Sequence, residues 1–133
     1  MIKIKKTAIF TFFILCQFTC CIRVNAQEAE YRKISAAQAY QMMSEEKDFI
    51  LLDVRTEDEY IEERIDGAIL IPDSQIRLRA PRVLPDKNKL IFVYCRSGVR
   101  SEKAARNLVS LGYINVYDIG GILSWSYGTV SGY

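Results

Sequence analysis

The sequence contains no histidine among its 133 residues. Without an imidazole, this chain holds neither a Ser-His-Asp triad nor a Cys-His pair, nor a zinc site of mixed cysteine and histidine ligands. Any nucleophile here is therefore activated by other means. The chain also lacks internal repeats, low-complexity tracts and an internal linker, and its length fits one ordinary domain of about 100–200 residues.

The bulk composition hides a division. Residues 1–26 open with Lys3, Lys5 and Lys6 and continue into an apolar run of sixteen residues, Thr7 to Ile22. They close on Val24-Asn25-Ala26, the small and aliphatic pattern of a leader-peptidase site. This segment reads as a secretory signal peptide, so the expectation is an exported, periplasmic or extracellular protein. Two alternatives stand beside it. An uncleaved membrane anchor would need about 20 apolar residues to span a bilayer comfortably. A lipid on Cys20 or Cys21 would find Thr19 or Cys20 where a small residue is expected.

Cleavage after Ala26 leaves residues 27–133 as a single domain of 107 residues. The formal charge changes from +2 to −2, because four of the basic residues leave with the signal. No Lys/Arg run or interleaved aromatic stripe remains to recruit nucleic acid, and no segment remains to hold the chain in a membrane. Of the four cysteines only Cys95 stays, so an intramolecular disulfide is excluded and stability must come from a packed core.

The hydrophobic pattern alternates between strand and helix. Ser35 with Gln38 forms a capping box, and the spacing predicts a helix over Ser35 to Ser44. Phe49 to Val54 is a continuous apolar run suited to a strand buried on both faces. A short acidic helix, Glu57 to Glu62, follows, and its carboxylates read as a solvated face. Gly67 to Ile71 is a strand stopped by Pro72. Asp73 to Pro85, with Arg77, Arg79 and Arg82 read as surface charge, gives no clear period. Lys89 to Tyr94 is a second buried strand, and Ala104, Ala105, Leu108 and Leu111 mark a helix over Ser101 to Leu111, ended at Gly112. A last strand, Ile114 to Ile119, leads through Gly120-Gly121 to a short terminal helix around Trp125, itself read as core. Strands joined through helices imply a three-layer α/β/α fold with a mainly parallel central sheet.

In such folds ligands bind beyond the carboxyl ends of the strands. Cys95 stands at one of these ends, followed by Arg96, Ser97, Gly98, Val99 and Arg100 before the next helix. A helix amino end carries about half a positive unit charge and unpaired N–H groups. Two guanidinium groups add full charges, and Gly98 permits the backbone angles of a tight cradle. All of these favour a thiolate over a thiol. The plainer alternative is that Cys95 is a buried core residue, as free cysteines often are.

Three stretches carry a family resemblance. They are Asp53-Val54-Arg55 with Glu59-Tyr60 and Ile65-Asp66-Gly67-Ala68-Ile69-Leu70-Ile71-Pro72; Val93-Tyr94-Cys95-Arg96-Ser97-Gly98-Val99-Arg100-Ser101; and Gly120-Gly121-Ile122 with Trp125. In this order and spacing, from about Tyr31 to the end, the chain resembles the rhodanese homology domain of sulfurtransferases. The resemblance implies that Cys95 takes sulfur from thiosulfate or a similar donor, forms a persulfide and passes the sulfur to cyanide or a thiol. It implies Arg96 and Arg100 as donor-binding charges, the N–H groups of Ser97, Gly98, Val99 and Arg100 as the cradle, and Asp53, Arg55 and Ser101 as loop supports. It implies no cofactor and no metal. The loop from Cys95 to Arg100 is six residues, whereas related phosphatases and arsenate reductases have one more, and Ser101 stands where they would need arginine. Glu63-Arg64 replaces the family's frequent Gly-His. Two other readings remain open: a partner that exchanges persulfide or disulfide with an exported thiol protein, and a non-catalytic binding module. Retention of Cys95 and both loop arginines argues against the latter.

Mass spectrometry of the secreted product checks the leader reading. A mature chain beginning at Gln27 is the expected outcome, and retention of Met1 would make the segment an anchor.

Overall fold

The computed structural model describes residues 30–133, so the signal-peptide reading of residues 1–26 lies outside the described residues. A short edge strand β1 (Arg32–Lys33) precedes helix α1 (Ala36–Glu45), strand β2 (Phe49–Asp53), helix α2 (Glu57–Glu62) and strand β3 (Ile69–Leu70). A 3₁₀ turn (Asp73–Gln75) then enters helix α3 (Ile76–Val83), followed by strand β4 (Leu90–Cys95), helix α4 (Val99–Ser110), strand β5 (Val116–Gly121) and a second 3₁₀ turn (Ile122–Ser124). The five strands form one sheet in the order β1-β5-β4-β2-β3, every pair parallel. This is the mixed α/β architecture expected from the pattern.

Alternation along the central strands creates two cores. Leu52 of β2 and Ile91, Val93 and Cys95 of β4 face α3 and α4, joining Ile76, Ala80, Ala104, Ala105 and Leu108. Leu51, Phe92 and Tyr94 face the other way, onto Ala39 of α1 with Ile65, Ala68, Ile119 and Ile122. Side chains of period two thus cover both faces of a sheet whose sequence is continuously apolar.

Several boundaries move from their sequence expectations. β1 has only two residues and no apolar pattern, and forms by pairing Arg32 and Lys33 with Tyr117 and Asp118. The arginine-rich stretch is helical despite Pro81, because its buried Ile76 and Ala80 pack at helical spacing on the core. α4 begins at Val99, two residues before the expected Ser101, because Gly98 with φ 107° turns the chain into the helix. The expected terminal helix is a single 3₁₀ turn, after which Trp125 lies half-buried with its indole N–H donating to the Gly128 carbonyl at 3.0 Å. Trp125 meets Tyr40 and Tyr127 edge-on, at the border of the core rather than inside it.

One buried ion pair fixes the end of β2. Asp53 is fully buried and Arg55 is 3% exposed, joined at 2.6 Å between Nη2 and Oδ2 with further bonds from Nε. Burial works most strongly against the Arg55 cation, but hydrogen bonding and charge attraction to Asp53, with a smaller contribution from Tyr94, together outweigh it, so its pKa rises. Burial likewise pushes the Tyr94 phenol well above its ordinary value, reinforced by Asp53. The Tyr94 oxygen accepts the Ile65 N–H at 3.1 Å. Removing one member of a buried pair strands the other's charge. Arg55→Ala is expected to cost about 3–5 kcal/mol of stability, read from urea denaturation.

Candidate active site

Cys95 is the last residue of β4 and its side chain points toward α4, 1% exposed. The loop after it reverses so tightly that the Gly98 N–H donates to the Cys95 Sγ at 3.0 Å. Gly98 adopts a left-handed φ and is the N-cap of α4. The first intrahelical bond of α4 runs from Glu102 N–H to the Gly98 carbonyl. By helix geometry the amides of Val99, Arg100 and Ser101 therefore have no intrahelical acceptor. The sulfur thus sits at the positive end of a twelve-residue helix, beside donors suited to an anion.

A seat built by β5 holds this loop. Val93 pairs with Asp118 and Cys95 with Gly121, so three residues of β5 oppose two of β4 across a bulge. Asp118, fully buried, accepts the Gly120 N–H on Oδ1 at 3.0 Å and so fixes the bulge where Gly120 has φ 84°. Its other oxygen, Oδ2, has no hydrogen-bond partner among the described residues. Gly121 lies directly under the loop: a Cβ there would collide with the Arg96 carbonyl oxygen and the Ser97 Cα. Ser101, fully buried, donates within reach of two carbonyls, Gly98 at 3.0 Å and Gly120 at 3.3 Å. The Leu123 N–H donates to the Arg96 carbonyl at 3.3 Å.

The two loop arginines have different surroundings. Arg96 and Ser97 are exposed, and Arg96 has no carboxylate partner among the described residues. Arg100 is half-buried and forked onto Glu59, with Nη1 to Oε2 at 2.7 Å and Nη2 to Oε1 at 2.8 Å. Glu59 therefore belongs to the site rather than to the solvated face expected of α2. Its carboxylate also closes a capping box, accepting the Thr56 N–H at 3.0 Å while the Thr56 hydroxyl receives the Glu59 N–H at 3.3 Å. Bonding to the Arg100 guanidinium holds the Glu59 carboxyl down at about 2, although burial opposes it.

Asp53 and Arg55 reach the loop only through α2. Arg55 Nη2 donates to the Glu63 carbonyl at 2.5 Å, pinning the carboxyl end of the helix whose other end presents Glu59 to Arg100. Tertiary folding thus gathers Cys95, Arg96, Ser97, Gly98, Val99, Arg100 and Ser101, with Asp53 and Arg55 one layer behind. Arg77, Arg79 and Arg82 lie on α3, where Arg79 bonds Gln75 at 3.0 Å. Sequence reasoning missed Glu59 and Asp118. Thr56-x-x-Glu59 is a legible capping signature, but nothing local marks Arg100 as its partner. Asp118 is a lone carboxylate in an apolar strand. Among the described residues no group of His, Cys, Asp or Glu is arranged to hold a metal ion, and no helix is long and apolar enough to cross a membrane.

Comparisons with known proteins agree with this fold. A family model described as Rhodanese-like domain matches residues 35–127. The thiosulfate sulfurtransferase GlpE of Coxiella burnetii is 35% identical over 96 residues, covering 71% of this chain and 87% of that protein. The thiosulfate sulfurtransferase PspE of Escherichia coli is 36% identical over 81 residues, covering 61% of this chain and 78% of that protein. Among solved structures, a rhodanese-related protein of Thermoplasma volcanium superposes with a TM-score of 0.66 at 38% identity, covering 75% of this chain and 98% of the other. A rhodanese with anions from E. coli gives 0.59 at 35% identity, covering 62% and 98%.

The depressed Glu59 carboxyl has a signed consequence. Its stabilising contribution is complete above the ordinary carboxyl value of 4.5 and is lost as pH falls from there toward about 2. A plot of urea midpoint against pH is expected to descend across that window in the wild type. Glu59→Gln is expected to flatten the descent, and an unchanged slope would remove the pair from the acid response.

Proposed function

The chain belongs to the rhodanese-like domain family, and from that premise we propose that it is a sulfurtransferase working through a persulfide on Cys95. The observation that carries this reading is the Cys95 sulfur held by the Gly98 N–H at the amino end of α4, inside a loop of six residues. Relatives that are thiosulfate sulfurtransferases support the same class of reaction.

The Cys95 thiolate attacks the outer sulfur of thiosulfate. The new S–S bond forms as the old one breaks, and sulfite leaves with the electron pair. The outer sulfur of the Cys95–S–S⁻ product is then an anion one bond farther out. It can be met by the Gly98 amide and by the unpaired first-turn amides of α4, which serve the persulfide as an oxyanion hole serves oxygen. Cyanide or a thiol attacks that outer sulfur, and the Cys95 thiolate is restored. No proton need pass through a side chain in the first half-reaction, which suits a chain without histidine. Ser101 and Asp118 act as positioning residues, keeping the loop on β5, and Arg96 supplies the exposed charge that attracts an anionic donor. We propose that the protein works outside the cytoplasm, a reading supported by the leader-like residues 1–26 and by a remaining domain with one cysteine.

The test is intact mass after incubation with thiosulfate. One added sulfur atom on the wild type and none on Cys95→Ser is the expected result, with thiocyanate produced from cyanide only by the wild type. Identical behaviour of the two proteins would overturn the reading. Loading without turnover of cyanide would point to a protein thiol as acceptor.

A further inference from the structure

On the α1 side of the sheet the fold leaves an open cavity of about 310 Å³. The buried core residues Leu51 and Ile65 line it, with the partly buried Met43 and Phe49. These four belong to the core on the face opposite the one that the Cys95 side chain enters, so the cavity stands apart from the active loop. Close-packed interiors leave few voids larger than a water molecule. Ligand pockets, in contrast, begin at about 300 Å³ and are mostly apolar, with a small number of polar groups.

Three aromatic rings line the same cavity. Tyr40 of α1 stacks on Tyr127, with centroids 4.0 Å apart and planes 6° from parallel. Trp125 stands across both, 6.1 Å from Tyr40 at 69° and 5.1 Å from Tyr127 at 72°. An indole set nearly perpendicular to a tyrosine stack makes a corner of π surface rather than a flat wall. This surface is not sealed by packing, since Tyr40 is 49% and Tyr127 40% exposed. The indole N–H is already engaged by the Gly128 carbonyl, which fixes the ring and leaves its π system as what it offers a ligand.

Asp66 is the one charged residue among those that line the cavity, and it makes no ion pair among the described residues. These features select a ligand by charge. An anion would meet this carboxylate and the negative faces of the rings. A neutral apolar ligand would displace water from the carboxylate without giving it a partner, which costs free energy. A cation with an apolar shell is attracted by the ring faces, most strongly by the indole, and by the carboxylate, while its carbon atoms cover Leu51 and Ile65.

We propose that this cavity is a second binding site, for a small organic cation of the quaternary ammonium class, held on the Tyr40, Trp125 and Tyr127 rings and balanced by Asp66. The site is independent of sulfur transfer at Cys95, which lies on the other face of the sheet.

The chain has a single tryptophan, so the fluorescence of Trp125 reads the cavity directly. Two probes of the same shape separate charge from apolar contact: choline, and 3,3-dimethylbutan-1-ol, which carries carbon in place of the nitrogen. Each is titrated into the purified protein, with sodium chloride at matched concentration as the baseline for choline. Choline is expected to change the fluorescence saturably, with a dissociation constant about tenfold below that of the alcohol. Asp66 is exposed and without an ion pair, so Asp66→Asn leaves the fold intact and is expected to narrow that gap by about threefold. Tyr127→Leu is expected to weaken choline by about threefold or more. Equal or tighter binding of the neutral alcohol, no saturable response to choline beyond the salt baseline, or a gap unmoved by Asp66→Asn would each overturn the proposal. Sulfur loading of Cys95 stands or falls separately from all of these results.

Discussion

The reversal of the chain between β4 and α4 is the constraint on which the site depends. A strand buried on both faces must deliver Cys95 to the amino end of a helix within three residues, and Gly98 in the left-handed region makes that possible. Once the turn is made, the sulfur faces a backbone N–H at 3.0 Å, and the positive end of the α4 dipole lies beneath it. In the proposed reaction, backbone groups fixed by the fold take the part that a histidine plays elsewhere.

The turn is held from two sides. From β5, the bulge at Gly120 lets Gly121 lie against Arg96 and Ser97, an approach that leaves no room for a side chain. Asp118 and Ser101 tie that bulge to the loop through the Gly120 N–H and carbonyl. From α2, Glu59 forks onto Arg100, and α2 is itself anchored by Arg55 on the Glu63 carbonyl and by the buried Asp53 beneath it. A chain of charge runs from the sheet interior to the loop. Arg96, exposed on the loop, has no carboxylate partner among the described residues.

Much of this fold was legible because its signals are local. Continuous apolar runs marked β2 and β4, capping residues placed α1, and the position of Cys95 at a strand end marked it as the candidate nucleophile. The misplaced elements are those whose cause is elsewhere in the chain. β1 exists because β5 offers it an edge, and α3 keeps Pro81 because Ile76 and Ala80 have a core to enter. α4 starts early because Gly98 is pinned to Cys95 and to β5, not because Val99 and Arg100 are strong helix starters.

The sequence by itself determined the class of chemistry: no histidine, one cysteine in residues 27–133, and a six-residue loop ending in arginine before a helix. These are properties of composition and short-range order, and short-range order is what periodicity and spacing record. Only the tertiary structure decided which charges remain free. Glu59 and Arg100 are 41 residues apart, and Asp118 acts on Gly98 through a bulge and a serine hydroxyl from α4. Whether a charge is paired depends on what lies within a few ångströms of it, and that distance is set by the packing of strands and helices that the chain does not place side by side.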